Sequence, residues 1–230
     1  MSALNATIPP EADAAATTGR TPFDFYGPRV AASDLRSYRT KGPRQSTKAL
    51  VSALVADGVT GATVLDIGGG VGVIGYELLD ADAASVTNVE ASAAYLAAAR
   101  EESARRGLAG RVTLQLGDFT ELVASIPPAD IVTLDRVLNV YPDWERLGSM
   151  AAERAHHVLG IVVPRDTPMV RQVVVVMNVV LRLRRQPIRA RVIQIEAIDR
   201  MARRAGLART CSHAVGAWQV LAFRRIPGHA

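Results

Sequence analysis

Short apolar runs bounded by glycine, proline and acidic residues alternate with helical patterns through most of the chain. Thr63 to Ile67 is such a run, followed by a glycine turn and a helical pattern reaching about Leu79. Ser85 to Val89 predicts a second strand, and Ser92 to Arg106 an alanine-rich helix stopped by Gly107. Val112 to Leu116 predicts a third strand, and Asp130 to Leu134 a fourth, entered through Pro127-Pro128. A helix from about Asp143 to His156 leads into a fifth strand, Val158 to Val163. Upstream, Leu50, Leu54 and Val55 repeat at helical spacing within a stretch from near Asp34 to Ala56. Gly42-Pro43 divides that stretch into two helices, and Gly58 closes it.

Strand-helix alternation implies a parallel sheet with helices on both faces. Right-handed crossovers then bring the C-terminal strand ends to one edge, where ligands bind. The tail differs. After a helix at about Ile195 to Ala205, Leu207 to Ala214 and Trp218 to Arg224 are separated only by Val215-Gly216-Ala217. That gap is too short for a parallel crossover and predicts an antiparallel hairpin.

One element stands outside this alternation. Met169 to Arg185 is valine-rich and flanked by Pro164 and Pro187, which predicts a helix inserted near residues 165–190. Its apolar run falls short of the roughly 20 residues that span a bilayer. Three readings stay open: a buried core helix, a lid over an apolar acceptor, or a homodimer or peripheral membrane face. Arg182, Arg184, Arg185, Arg189 and Arg191 follow it and suit an anionic acceptor, lipid headgroups or a solvated surface.

Composition narrows the class. With 49% hydrophobic and 21% charged residues among 230, the chain affords one generous domain. The net charge of +5 comes from arginine, since Lys41 and Lys48 are the only lysines, and no basic run stands apart from a helical pattern. Cys211 is the single cysteine, read as a small core residue; it excludes an internal disulfide and suits a cytoplasmic setting. Residues 1–22 lack a basic start followed by an apolar core, and read as a disordered leader rather than a secretion signal. No paired carboxylates or histidine clusters suggest a metal site.

The chemistry concentrates at predicted strand ends. Val64-Leu65-Asp66-Ile67-Gly68-Gly69-Gly70-Val71-Gly72 runs from a buried strand through an acidic residue into a glycine turn that opens a helix. Glycine permits the tight turn and close approach of a ligand, and amides at a helix start favour a negative group. Gly70, Gly72 and Gly75 also fit the G-x-G-x-x-G of nucleotide-binding proteins. Glu90, 18 residues after Gly72, suits a ribose diol in either case. A nicotinamide-dependent oxidoreductase is therefore the competing class, although no Tyr-x-x-x-Lys pair is present. The third strand ends in Gly117-Asp118-Phe119 and the fourth in Leu134-Asp135-Arg136-Val137.

In order and spacing, Asp66 to Gly72, Val89-Glu90-Ala91-Ser92, Gly117-Asp118-Phe119 and Leu134-Asp135-Arg136 resemble the class I S-adenosylmethionine-dependent methyltransferases, over roughly residues 45–225. The resemblance implies an α/β, Rossmann-like fold with a seven-stranded, mainly parallel sheet and a C-terminal antiparallel hairpin. It also implies S-adenosylmethionine as cofactor, a helical lid at 23–60 and the cofactor-binding domain at 61–230. Asp66 would face the amino and sulfonium end, and Gly68, Gly70 and Gly72 would leave amides for the carboxylate. Glu90 with Ala91 would hold the ribose, Asp118 with Phe119 the adenine, and Asp135 with Arg136 would lie near the sulfonium. Asp135 equally suits a cap on the following turn.

A narrower resemblance, to the magnesium-protoporphyrin O-methyltransferase-like branch, rests on Leu134 to Pro142 and on Pro164-Arg165-Asp166 before a long helix. That branch shows His-Tyr-Pro in the fourth-strand loop, where this chain has Val140-Tyr141-Pro142. Neither a porphyrin acceptor nor a catalytic histidine is therefore carried over.

Tyr141 and Tyr38 are the candidate catalytic side chains, with Tyr26 a further phenol; each also reads, and more readily, as a packing residue. An Asn/Asp-Pro-Pro-Tyr motif is missing after the fourth strand, which lowers nucleic acid as a partner. The expected substrate is a small-molecule hydroxyl or carboxylate, apolar or anionic, in secondary or pigment metabolism.

Overall fold

A computed structural model describes residues 25–228; the expected leader at 1–22 lies outside them. Two helices come first, α1 (Pro28–Lys41) and α2 (Gln45–Asp57), parted at Gly42-Pro43 as the sequence predicts. Then follow β1 (Thr63–Ile67), α3 (Val73–Asp80), β2 (Ser85–Glu90), α4 (Ala93–Arg105), β3 (Val112–Leu116) and the short α5 (Phe119–Leu122). The remaining elements are β4 (Ala129–Asp135), α6 (Trp144–Arg154), β5 (Ala155–Pro164), α7 (Pro168–Leu183), α8 (Ile195–Arg204), β6 (Leu207–Val215) and β7 (Trp218–Arg225).

The seven strands form one sheet in the order β3-β2-β1-β4-β5-β7-β6. The first five are parallel, while β7 runs antiparallel to both β5 and β6. A dinucleotide-binding sheet has a parallel sixth strand beside its fifth; here that place belongs to the second arm of the hairpin. β6 is thus an edge strand, which leaves Cys211 half-buried rather than in the core.

Side chains alternate across the strands, so each face recruits its own helices. Leu65, Val132, Leu159, Ile161 and Phe223 pack with α6 and α8. Val64, Ile131, Val158, Val162 and Val220 pack with α2 and α3. Gly160 permits the second packing, because a Cβ there would stand 2.8 Å from Leu50 Cδ1. The helix expected to reach His156 stops at Arg154, and His156 and His157 are exposed at the start of β5. β5 already pairs with β4 at Ala155 and Ala129, so the ladder claims the backbone before the histidines.

Candidate active site

A cavity of about 440 Å³ lies at the C-terminal ends of the parallel strands, where crossovers on both faces leave a crevice. Asp66, Glu90, Asp118 and Asp135, each from the end of its strand or the next turn, all line it. Gly68, Gly70, Ala91, Phe119, Arg136, Tyr141 and Tyr38 line it too. Gly72 does not. It turns the chain into α3 with φ of 88°, and a Cβ there would meet the Tyr76 ring at 2.8 Å.

Asp66 is the most unusual group. Its side chain is buried; Oδ1 accepts a 2.6 Å hydrogen bond from Thr133 Oγ1, and Oδ2 has no partner. Burial pushes its pKa from 3.8 to about 7; the Thr133 hydroxyl opposes the shift, and the Asp135 and Glu90 charges add to it. An unpaired carboxylate oxygen in a closed setting is costly unless a cation arrives. Asn88 Oδ1 beside it is also buried without a partner.

Glu90 closes the turn after β1. Its Oε2 accepts from Gly70 N at 3.0 Å and its Oε1 from Ser92 N at 2.7 Å. Burial raises its pKa, and these backbone donors oppose the rise. Ser92 N-caps α4, and its hydroxyl donates to the Tyr26 carbonyl, so the segment before α1 is fastened to the same corner.

Asp118 caps α5 through Oδ1, which accepts from Thr120 N at 2.8 Å, while its Oδ2 accepts from Tyr141 Oη at 2.8 Å. Burial and the Asp118 charge, against the Thr120 hydroxyl, leave the Tyr141 phenol pushed up to about 12, a neutral hydrogen-bond donor at ordinary pH. Tyr38 donates to Glu77 Oε1 at 2.9 Å, and burial raises its pKa further still. Asp135 is held on two sides, by Thr47 Oγ1 of α2 at 2.6 Å and by Arg136 Nε at 2.8 Å. Arg136 also stands 5.7 Å from the Trp218 ring centre.

Sequence reasoning missed Thr47, Thr133, Asn88 and Tyr95. Thr47 and Thr133 sit 88 and 67 residues from the carboxylates they serve, and no local pattern marks either. Tyr95 Oη donates to Asp34 of α1 at 2.5 Å, fastening the N-terminal helix over the site.

Residues 64–159 match the family described as methyltransferase domain. The chain carries that domain. It is an S-adenosylmethionine-dependent methyltransferase. No curated protein sequence matches the chain. Among solved structures, magnesium protoporphyrin IX methyltransferase from Synechocystis PCC 6803 with bound S-adenosylmethionine is 20% identical, with a TM-score of 0.65 over 96% of this chain and 100% of that one. An O-methyltransferase family protein from Burkholderia thailandensis is 19% identical, with a TM-score of 0.68 over 95% of this chain and 70% of that one. Mitomycin 7-O-methyltransferase is 24% identical, with a TM-score of 0.65 over 92% of this chain and 62% of that one. At these identities the likeness is one of fold.

The residues of the methyltransferase fit its cofactor. The orphaned Asp66 oxygen suits an ammonium, and the amides at the start of α3 suit a carboxylate. Glycine at 69 is what leaves this corner open: a Cβ there would stand 2.7 Å from Asn88 Oδ1 and nearer still to Asp66 Oδ2. The nicotinamide alternative raised by Gly70, Gly72 and Gly75 gives way, and Gly75 serves packing, since its Cβ would stand 2.8 Å from Val86 Cγ1.

Proposed function

We propose that the methyltransferase acts on an oxygen of a small, largely apolar molecule, a hydroxyl or a carboxylate, in secondary or pigment metabolism. The observation that carries this reading is the rest of the cavity wall. Val140, Met177, Leu181, Ile188 and Trp218 line the same space as the four carboxylates. The volume also falls in the range of small-molecule pockets, roughly 300–1,000 Å³.

In this reading Asp66 holds the cofactor's amino group, the turn at Gly68 and Gly70 meets its carboxylate, and Glu90 with Ala91 accepts the ribose hydroxyls. Asp118 and Phe119 take the adenine, and Asp135 with Arg136 borders the transfer point. Bound S-adenosylmethionine supplies an electrophilic methyl on a sulfonium, whose leaving thioether needs no acid. The chain's task is to align the acceptor and exclude water. α1 and α2, within the 23–60 lid, and α7 would close the cavity over it. A carboxylate or phenolate acceptor needs no base. Tyr141 then serves as a neutral donor that positions Asp118, and Tyr38 as wall on the acceptor side. The setting proposed is cytoplasmic.

Transfer of labelled methyl from S-adenosylmethionine is the test, offered in parallel to hydroxylated aromatics, carboxylated macrocycles, total RNA and denatured protein. Label on a small molecule is expected. Label on RNA or protein alone would overturn the acceptor class while leaving the cofactor assignment intact.

A further inference from the structure

We infer that α7 docks on an anionic lipid surface. Met169, Val173, Val176, Val180 and Leu183 recur at spacings of four, three, four and three, which puts them on one helical face. That face looks outward, with side chains between 40% and 78% exposed. The register is fixed from the other side. Val170 and Val174 are buried, and Asn178 exchanges two hydrogen bonds with the backbone of Ala190, at 2.7 and 2.9 Å. α7 is therefore anchored inward by one face and leaves outward a second, mainly apolar face, broken only by Gln172 at its flank.

Charge decides what suits that face. Arg182, Arg184, Arg185 and Arg189 are exposed at the C-terminal end of α7 and just beyond it. No acidic residue occurs from Thr167 to Ile195, and among the described residues none of these four arginines meets a carboxylate. Apolar side chains in one stripe beside a cluster of guanidinium groups match the boundary of a bilayer with anionic headgroups. The helix is too short to cross a membrane, so it lies along the surface.

A second copy of the chain fits less well. Pairing α7 with its counterpart offers the arginines no partner, since the helix carries no acidic residue. Met177 borders both surfaces, being 41% exposed and part of the cavity wall. Docking would therefore set the bilayer beside the cavity and give an apolar acceptor a dry path inward. That consequence rests on the proposed function; the docking does not.

Sedimentation of the full chain with vesicles tests the inference, using phosphatidylcholine alone against phosphatidylcholine mixed with phosphatidylglycerol. Binding to the anionic vesicles only, weakening as salt rises, is expected. Arg184→Gln and Arg185→Gln should each weaken it about fivefold. Val173→Asp with Val180→Asp should abolish it while leaving affinity for S-adenosylhomocysteine unchanged, which separates docking from folding. Equal binding to neutral vesicles overturns the inference. So does absence of binding, whether the chain proves a monomer or a dimer that the double aspartate variant splits. A chain that binds vesicles yet methylates only RNA or protein would sink the proposed function and leave the docking standing.

Discussion

Gly70 donates its backbone amide to Glu90 Oε2 at 3.0 Å, and this contact ties the turn after β1 to the end of β2. The carboxylate proposed to hold the ribose thus also shapes the glycine turn. Glu90→Gln keeps the volume but puts an amide donor where Gly70 N or Ser92 N now donates. A hydrogen bond to a charged group contributes about 1.5–3 kcal/mol. Affinity for S-adenosylhomocysteine, read by calorimetry, should therefore fall about ten- to hundredfold. Unchanged affinity would remove the ribose assignment.

The proposed contact of Asp66 with the cofactor's ammonium predicts that binding depends on pH. With its pKa pushed to about 7, the carboxylate carries charge mainly above that value, and only then would it pair with an ammonium. Affinity should be about tenfold weaker at pH 6 than at pH 8. The stability sign is opposite. The folded pKa is raised from 3.8, so the folded state holds the proton more tightly, and stability drains away as pH rises from about 4 to about 7. Asp66→Asn should raise the melting temperature of the cofactor-free protein at pH 8, by on the order of 2 kcal/mol of stability. It should also abolish cofactor binding. A variant that binds normally would dismiss the ammonium contact.

What the sequence made legible was periodic or local. β1 spans the expected Thr63–Ile67 because its apolar run ends at a glycine turn, and β3 matches Val112–Leu116 for a similar reason. Asp66, Glu90, Asp118 and Asp135 converge because parallel crossovers bring strand ends to one edge. Hairpin pairing was readable from a three-residue gap, but the insertion of β7 between β5 and β6 was not. Nor did the valines of α7 disclose which face stays exposed. A buried core helix was one expectation, yet only Val170 and Val174 are covered. That outcome depends on contacts with Ala190 and its neighbours, which no pattern within the helix encodes.

Tyr141 offers a split between positioning and proton transfer. Its hydroxyl donates to Asp118 Oδ2 and lies 3.0 Å from Thr120 Oγ1, while its own pKa is pushed up to about 12. Tyr141→Phe removes the donor and keeps the ring. The KM for cofactor should rise about three- to tenfold, the span of a single hydrogen bond of about 1 kcal/mol. The pH profile of kcat should stay where it was. A displaced alkaline limb would instead make the phenol a proton acceptor.

Gly69 allows the carboxylate corner to be probed from the backbone. Its φ is not in the left-handed region, so alanine there brings no backbone strain and meets only the side chains of Asp66 and Asn88. The added methyl would press on the unpaired Asp66 Oδ2 and stand 2.7 Å from Asn88 Oδ1. Overpacking of this kind costs about 1–3 kcal/mol, and it fills the corner proposed for the ammonium. Gly69→Ala should lower stability by that amount and weaken cofactor binding at least tenfold. Asp66→Ala removes two of the three atoms the methyl meets most closely, so in that background the stability cost of Gly69→Ala should shrink, with a coupling of about 0.5–3 kcal/mol in denaturant unfolding. Strict additivity of the two substitutions would mean that the glycine and the carboxylate do not share this corner.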